Sequence, residues 1–232
     1  MPTDPFAELK QRAALAAVAH VESGMKLGLG TGSTAFFAVE EIGARLRRGE
    51  LRDLVGVPTS TRTAEQATRL GIPLASIDAF DRLDLAIDGA DEVDPRCDLI
   101  KGGGGALLRE KAVERKAARL YIIVDHGKLS PRLGTRFALP VEVEPVAWQR
   151  EAEVLAAQGC KPALRQAADG PYVTDNGNYI LDCRFEHGIP DSHALAAALD
   201  ARPAVRAHGL FLGMTTEVIV AAPEGLRTLR PG

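Results

Sequence analysis

The first half of the chain alternates between stretches with helical spacing of apolar residues and short, wholly apolar runs, and few folds accept that pattern. Residues from about Phe6 to Val21 are alanine-rich with helical periodicity, and Lys26 to Gly30 reads as a short buried strand ending in glycines. Thr34 to Arg47 is helical again, Leu54 to Val57 is a strand that Pro58 terminates, and a helix from about Thr61 to Leu70 stops at Gly71. Leu83 to Ile87 and Leu120 to Val124 are further strand-like runs. Helix and strand alternating at this pace predict right-handed βαβ units, hence a parallel sheet covered on both faces.

Beyond about Leu133 the pattern changes. Ala138 to Glu144 reads as a strand, Val146 to Gln158 as an amphipathic helix, and Ala163 to Gln166 as a strand. Asn176-Gly177 between β-rich flanks predicts a hairpin, because both central residues can take positive φ. Ser192 to Ala201 is helical, and Ala204 to His208 closes a β-α-β-β-α-β order, the split βαβ unit of ferredoxin-like domains. Two apolar runs between Gly209 and Ala221 are expected to rejoin the first sheet. The fold class is therefore α/β, a Rossmann-like parallel-sheet domain (residues 1–132 with 209–232) carrying an inserted small ferredoxin-like α+β domain (133–208).

Composition narrows the partners. At 232 residues, with 46% hydrophobic and 25% charged side chains, the chain can bury a sizeable core. A net charge of −3 argues against nucleic acid as a main partner. Cys97, Cys160 and Cys183 are odd in number and widely spaced, which suits reduced thiols rather than a disulfide framework or a zinc site. The N-terminal residues lack the apolar core of a signal peptide and no run could span a bilayer, so a soluble, cytoplasmic protein without a membrane partner is expected.

Three glycine-containing motifs fall where a strand runs into a helix, the edge at which open α/β sheets bind ligands. The first is Gly28-Leu-Gly-Thr-Gly-Ser-Thr34. It reads equally as an anion-binding loop, with Thr31, Ser33 and Thr34 adding hydroxyls, or as a tight turn whose helix is capped by Ser33 or Thr34. The sequence counts against a dinucleotide fingerprint, because Ser33 stands where glycine or alanine is needed and the second strand runs into Pro58-Thr59-Ser60 with no acid for the ribose hydroxyls, and against a P-loop, because no lysine follows Gly32. The second is Asp88-Gly-Ala-Asp91-Glu-Val-Asp94, carboxylates at a strand mouth able to accept from sugar hydroxyls, with no spacing for a metal cage. The third is Lys101-Gly-Gly-Gly-Gly-Ala-Leu-Leu-Arg-Glu110. Four glycines in a row cost conformational entropy, so a close backbone approach must justify them. A lysine before them and a glutamate early in the next helix suit proton transfer beside a carbonyl, with the cation stabilising the oxyanion that develops. Against this stands a plain solvated helix face carrying Glu110 and Glu114. The five histidines lack metal-ligand spacing.

Together the motifs resemble ribose-5-phosphate isomerase, type A. The matching stretches are Gly30–Thr34, Asp88–Glu92, Lys101–Gly104 leading to Arg109–Lys111, Leu139–Val143 and Val173–Asn178, in the family's order and across nearly the whole chain. The resemblance implies interconversion of ribose 5-phosphate and ribulose 5-phosphate, a sugar phosphate as partner, and a homodimer or homotetramer. No metal or organic cofactor is expected, because the sequence has no histidine cluster, carboxylate cage or complete nucleotide fingerprint and Lys101 can supply the charge. It implies that Thr31, Gly32, Ser33 and Thr34 bind substrate, and that Asp88 and Asp91, with Gly89 and Ala90 between them, hold sugar hydroxyls. Asp88 would also assist ring opening. Lys101, followed by Gly102, Gly103 and Gly104, matches the cation at the reacting oxygens, and Glu110 the base that moves a proton between C2 and C1. Lys128 and Lys10 match two further substrate-binding lysines. One departure is Gly105, where some relatives have alanine, and it is expected only to loosen the helix start. A coenzyme A transferase with Glu110 as nucleophile and a non-catalytic sugar-phosphate sensor are the competing readings.

Overall fold

In a computed structural model, which describes residues 5–232, the chain runs through α1 (Ala7–Val18), β1 (Lys26–Leu29), α2 (Ala35–Arg47), β2 (Val55–Pro58), α3 (Thr61–Arg69) and β3 (Leu85–Asp88). Next come β4 (Glu92–Val93), β5 (Leu99–Ile100), α4 (Leu107–Arg115), β6 (Leu120–Asp125) and β7 (Leu139–Val143). After α5 (Trp148–Ala157) follow β8 (Lys161–Leu164), β9 (Gln166–Ala167), β10 (Gly170–Pro171), β11 (Tyr179–Arg184) and α6 (Ser192–Asp200). The last strands are β12 (Val205–His208), β13 (Leu210–Phe211), β14 (Glu217–Ala222) and β15 (Gly225–Leu229). These elements form two compact units, one of residues through 90 with 109–128 and 214–232, the other of 91–108 with 129–213.

The first unit is built on a six-stranded sheet in the order β15-β14-β6-β3-β1-β2, parallel except for β15, which pairs antiparallel at the edge. Every residue of β6 is buried, as befits a central strand read from the run Leu-Tyr-Ile-Ile-Val-Asp. Ala13, Ala14, Ala17 and Val18 give α1 a small-residue stripe that packs with Tyr121, Ile123, Ile219 and Ala221. The opposite face receives α4, whose Val113 clusters with Val57 and Leu83. Gly28 is required there, because a Cβ would lie 2.7 Å from the Ala86 Cβ and 2.8 Å from Val113 Cγ1.

The second unit carries an antiparallel sheet in the order β12-β7-β11-β8, with α5 and α6 in the β-α-β-β-α-β sequence expected. Its core gathers Val141, Val143, Leu155, Leu181, Cys183 and Leu199, with Trp148 packed against it. A separate three-stranded sheet, β13-β5-β4, and the short β9–β10 ribbon complete it.

Four expectations need amendment. Residues 91–108 were expected within the first domain, yet β5 pairs with β4 on one side and with β13 on the other, and the buried Glu92 carboxylate accepts from the N–H groups of Gly134, Arg136 and Phe137. For the same reason only the second of the two late apolar runs, β14, rejoins the parallel sheet, while Leu210 and Phe211 pair with β5. At Asn176-Gly177 only Gly177 has positive φ, 79°, and the turn lies inside the long connection between β8 and β11 rather than joining two strands tightly. Gly105 does more than loosen a helix start. Its φ is 80°, in the left-handed region, and a Cβ there would meet the Tyr172 ring and hydroxyl.

Candidate active site

Parallel pairing brings the carboxyl ends of β1, β2, β3 and β6 to one edge of the first unit, with Leu29 level with Pro58 and Ile87, and Asp88 level with Ile122. The 30–34 loop, the 88–90 turn and the single helical turn His126–Lys128 all leave from that edge. Because α4 crosses back between β3 and β6, its first turn, which carries Glu110, starts at the same edge.

Each group there is fixed by identifiable contacts. Asp88 is 1% exposed, and its Oδ1 accepts from the N–H groups of Thr31 (3.0 Å) and Gly89 (2.7 Å). Its carboxyl group fills the space beside Gly30, so no side chain is possible at position 30. Gly32 has φ of 123°, which L side chains avoid. Neither Ser33 nor Thr34 caps the following helix: Thr34, at the N-cap, makes no side-chain cap bond, and Ser33 Oγ instead receives the Lys10 ammonium at 2.9 Å. The capping alternative for this loop is thereby replaced, and Lys10 is brought to the loop from α1. Thr31 turns its hydroxyl inward, into a buried cluster with Thr59 (2.7 Å), Ser60 (2.8 Å) and Thr63 (3.1 Å). What Thr31 presents to the loop is backbone. Glu110 is 4% exposed and Glu114 is buried as well, so the solvated-face reading of α4 does not hold. Lys128 is half-buried at the end of the helical turn after β6.

In the second unit, Lys101 is 2% exposed, its ammonium 5.5 Å from the Phe211 ring centre and its backbone N–H bonded to Gly209 O at 2.9 Å. Asp91 Oδ2 accepts from Gly103 N–H at 2.7 Å, while Gly103 and Gly104 are exposed. Glu92 and Asp94, neighbours in the same acidic motif, are spent on backbone N–H groups instead.

A cleft of about 590 Å³ adjoins the first loop through Gly32 and Ser33, with Phe36, Arg62 and Arg69 in its wall. Asp88, Glu110 and Lys128 do not line it, so the chemistry of the strand ends locates the site better than cavity size does. Among the described residues, no group of three His, Cys, Asp or Glu side chains is placed to hold a metal ion.

The sequence profile of the family described as ribose 5-phosphate isomerase A (phosphoriboisomerase A) matches residues 55–225. This chain belongs to the ribose 5-phosphate isomerase A family. Ribose-5-phosphate isomerase A of Synechococcus sp. (strain JA-3-3Ab) is 54% identical over 225 residues, covering 96% of this chain and 97% of the relative. The Chloroflexus aurantiacus protein of the same name is 54% identical over 219 residues, or 94% and 91% of the two chains. Among solved structures, the Plasmodium falciparum ribose 5-phosphate isomerase superposes with a TM-score of 0.94 at 38% identity, covering 97% of this chain and 98% of that one. A D-ribose-5-phosphate isomerase in complex with phospho-erythronic acid gives 0.93 at 41% identity, covering 96% and 98%. The fold expected from the sequence is thus that of ribose 5-phosphate isomerase A.

Two features, one in each unit, escaped the sequence reading. The Thr59, Ser60 and Thr63 hydroxyls signalled themselves only as a strand end without an acid. Arg165, which donates to the glycine-loop carbonyls, lies sixty-odd residues from that loop.

Proposed function

We infer that the protein interconverts ribose 5-phosphate and ribulose 5-phosphate by proton transfer through an enediolate, with Glu110 as the base. The observation that carries this reading is a buried carboxylate in the first turn of a crossover helix, at the strand-end edge that also holds Asp88. Membership of the isomerase family supports it. Asp88, its Oδ1 held by two backbone N–H groups, assists opening of the furanose ring and then holds a sugar hydroxyl, a role shared by Asp91. Glu110 removes the proton from C2 and returns it to C1. Lys101 stabilises the negative charge that develops on the oxygens of C1 and C2. The 31–34 loop, Lys10 and Lys128 bind the rest of the substrate, including its phosphate. Gly89, Ala90 and Gly102–Gly104 line the path with backbone groups.

Phospho-erythronic acid, bound by a relative, is a phosphorylated four-carbon acid with a planar carboxylate beside a hydroxyl. That oxygen array resembles an enediolate, and tight binding of such an acid is what complementarity to the transition state predicts. We further place the protein in the cytoplasm as a homodimer or homotetramer. Three buried cysteines in the thiol form are consistent with the first, and light scattering on the purified protein tests the second.

The decisive experiment is Glu110→Gln, which keeps shape and hydrogen bonding but cannot accept the proton. General acid–base catalysis contributes roughly 10²–10⁴-fold, so kcat should fall by at least about that much. Ribose 5-phosphate binding and thermal stability should remain, and solvent deuterium should no longer enter C2 of recovered aldose. Turnover within a few-fold of the parent would remove Glu110 from the role and make Asp88 the next candidate. A parent protein with no activity on ribose 5-phosphate would reject the reaction itself.

A further inference from the structure

We propose that Arg165 is a positioning residue for this reaction, orienting the Lys101–Gly104 backbone so that its N–H groups face Asp91 and the substrate; the proposal rests on the function inferred above. Arg165 leaves the end of β8 and is 15% exposed at its side chain. Its Nε and Nη2 bind the two oxygens of Asp182 on β11, at 2.9 and 2.6 Å, in the bidentate fork that fixes a guanidinium plane. The remaining nitrogen, Nη1, donates to Gly102 O and to Gly103 O, each at 3.1 Å. Tyr172 lies over the guanidinium, 5.7 Å from ring centre to carbon, and occupies the space beside Gly105.

The consequence follows from the planarity of the peptide. No cis peptide is present among the described residues, and in a trans peptide the C=O and N–H point in opposite directions. Drawing the Gly102 carbonyl onto Arg165 turns the Gly103 N–H away from it, and that N–H is the one bound to Asp91 Oδ2 at 2.7 Å. Drawing the Gly103 carbonyl onto the same nitrogen turns the Gly104 N–H the same way, at an exposed position. Glycine loops have little rotational preference of their own, so something must choose this orientation. Arg165, itself held by Asp182, makes the choice. A lysine cannot, because a point charge does not reproduce a fork spanning one carboxylate and two carbonyls.

The test compares Arg165→Lys, Arg165→Met and Asp182→Asn with the parent. We expect kcat on ribose 5-phosphate to fall by about 10–100-fold in both Arg165 variants, the scale of a misplaced catalytic group. KM should change much less, since the interaction matters most in the transition state. Asp182→Asn should move in the same direction by a smaller factor. In a further variant, Arg165→Ala, guanidinium ion at millimolar concentration should restore part of the lost kcat by remaking the bonds to Asp182 and to the two glycine carbonyls. Independently of turnover, the amide resonances of Gly103 and Gly104 should shift in Arg165→Met, and exchange of the Gly103 amide should accelerate. If Arg165→Met fails to fold, Asp182→Asn and the guanidinium rescue carry the decision. An active parent whose folded Arg165→Met variant keeps kcat within two- to three-fold would overturn the proposal. Unmoved glycine amides would overturn it as well. An inactive parent with shifted amides would strike the assigned reaction and leave the hold of Arg165 on the loop intact.

Discussion

A methyl group at position 30 would land on the Asp88 carboxyl group, which makes this glycine the most direct probe of how the acid is held. Gly30→Ala should displace Asp88 and break its bonds to the Thr31 and Gly89 N–H groups. Overpacking of this kind costs about 1–3 kcal/mol, and misplacement near the reacting atoms costs about 10²-fold in rate. We therefore expect a modest fall in melting temperature and a disproportionate fall in kcat. A variant that loses stability and keeps full turnover would show that Asp88 is not needed where it stands. At this scale the sequence was informative wherever a residue's neighbours were close in the chain. Asp88 with Gly89, and Lys101 with Gly102–Gly104, could be read as groups because the motif itself brings them together. Thr31 could not. Its hydroxyl partners come from residues 59, 60 and 63, brought alongside only when β2 pairs with β1. Its apparent role as a ligand hydroxyl therefore gives way to that of a buried tie.

The elements themselves were mostly legible, and the misreadings share a cause. Helices α1, α2 and α3 and strands β1, β2, β3 and β6 fall within a few residues of their expected places, because a run of buried apolar residues needs no distant information. The Thr174–Asn178 turn was read as a hairpin on local chemistry, but its purpose lies elsewhere. Thr174 Oγ1 and the Asn178 amide donate to Glu142 Oε1 at 2.9 Å, and the Asn176 amide donates to the same oxygen at 3.2 Å. Glu142 sits on β7 and is fully buried. It is the anchor that ties a long connection to the sheet, and nothing within the turn announces it. Glu142→Ala removes that acceptor from all three donors. Of the three donors Thr174 is buried, Asn178 half-buried and Asn176 exposed. One buried polar group left without a partner costs about 1–3 kcal/mol, so a loss of that size is expected in denaturant unfolding. The 170–178 segment should at the same time become accessible to proteolysis. A change below about 0.5 kcal/mol would mean that water replaces the carboxylate without penalty.

For the molecule as a whole, one buried acid gives stability a definite pH dependence. Burial pushes the Asp94 carboxyl above its ordinary value, against the pull of the Asp98 and Arg96 N–H groups; Asp98's charge adds to the rise and Arg96 opposes it. A raised value means that the folded protein holds this proton more tightly than the unfolded chain does. The contribution of Asp94 to stability is thus complete below the unfolded value and is lost as pH rises through the folded one. Asp94→Asn, which keeps the side-chain oxygen but never ionises, should gain melting temperature relative to the parent on going from pH 4 to pH 7. A difference that stays flat or shrinks over that window would contradict the assignment. The order of elements along the chain has a different consequence, for the protein's manufacture. Strand β14 lies inside the first sheet, between β6 and β15, yet it is made of residues 217–222 of 232. The second unit, begun later, ends at residue 213. Chains emerge from the ribosome N-terminus first and domains tend to fold as they appear. The unit that starts first must therefore close after the second: its sheet stays open on the β6 edge until residues 217–222 are released, a window in which an incomplete nascent chain offers chaperones an unpaired strand.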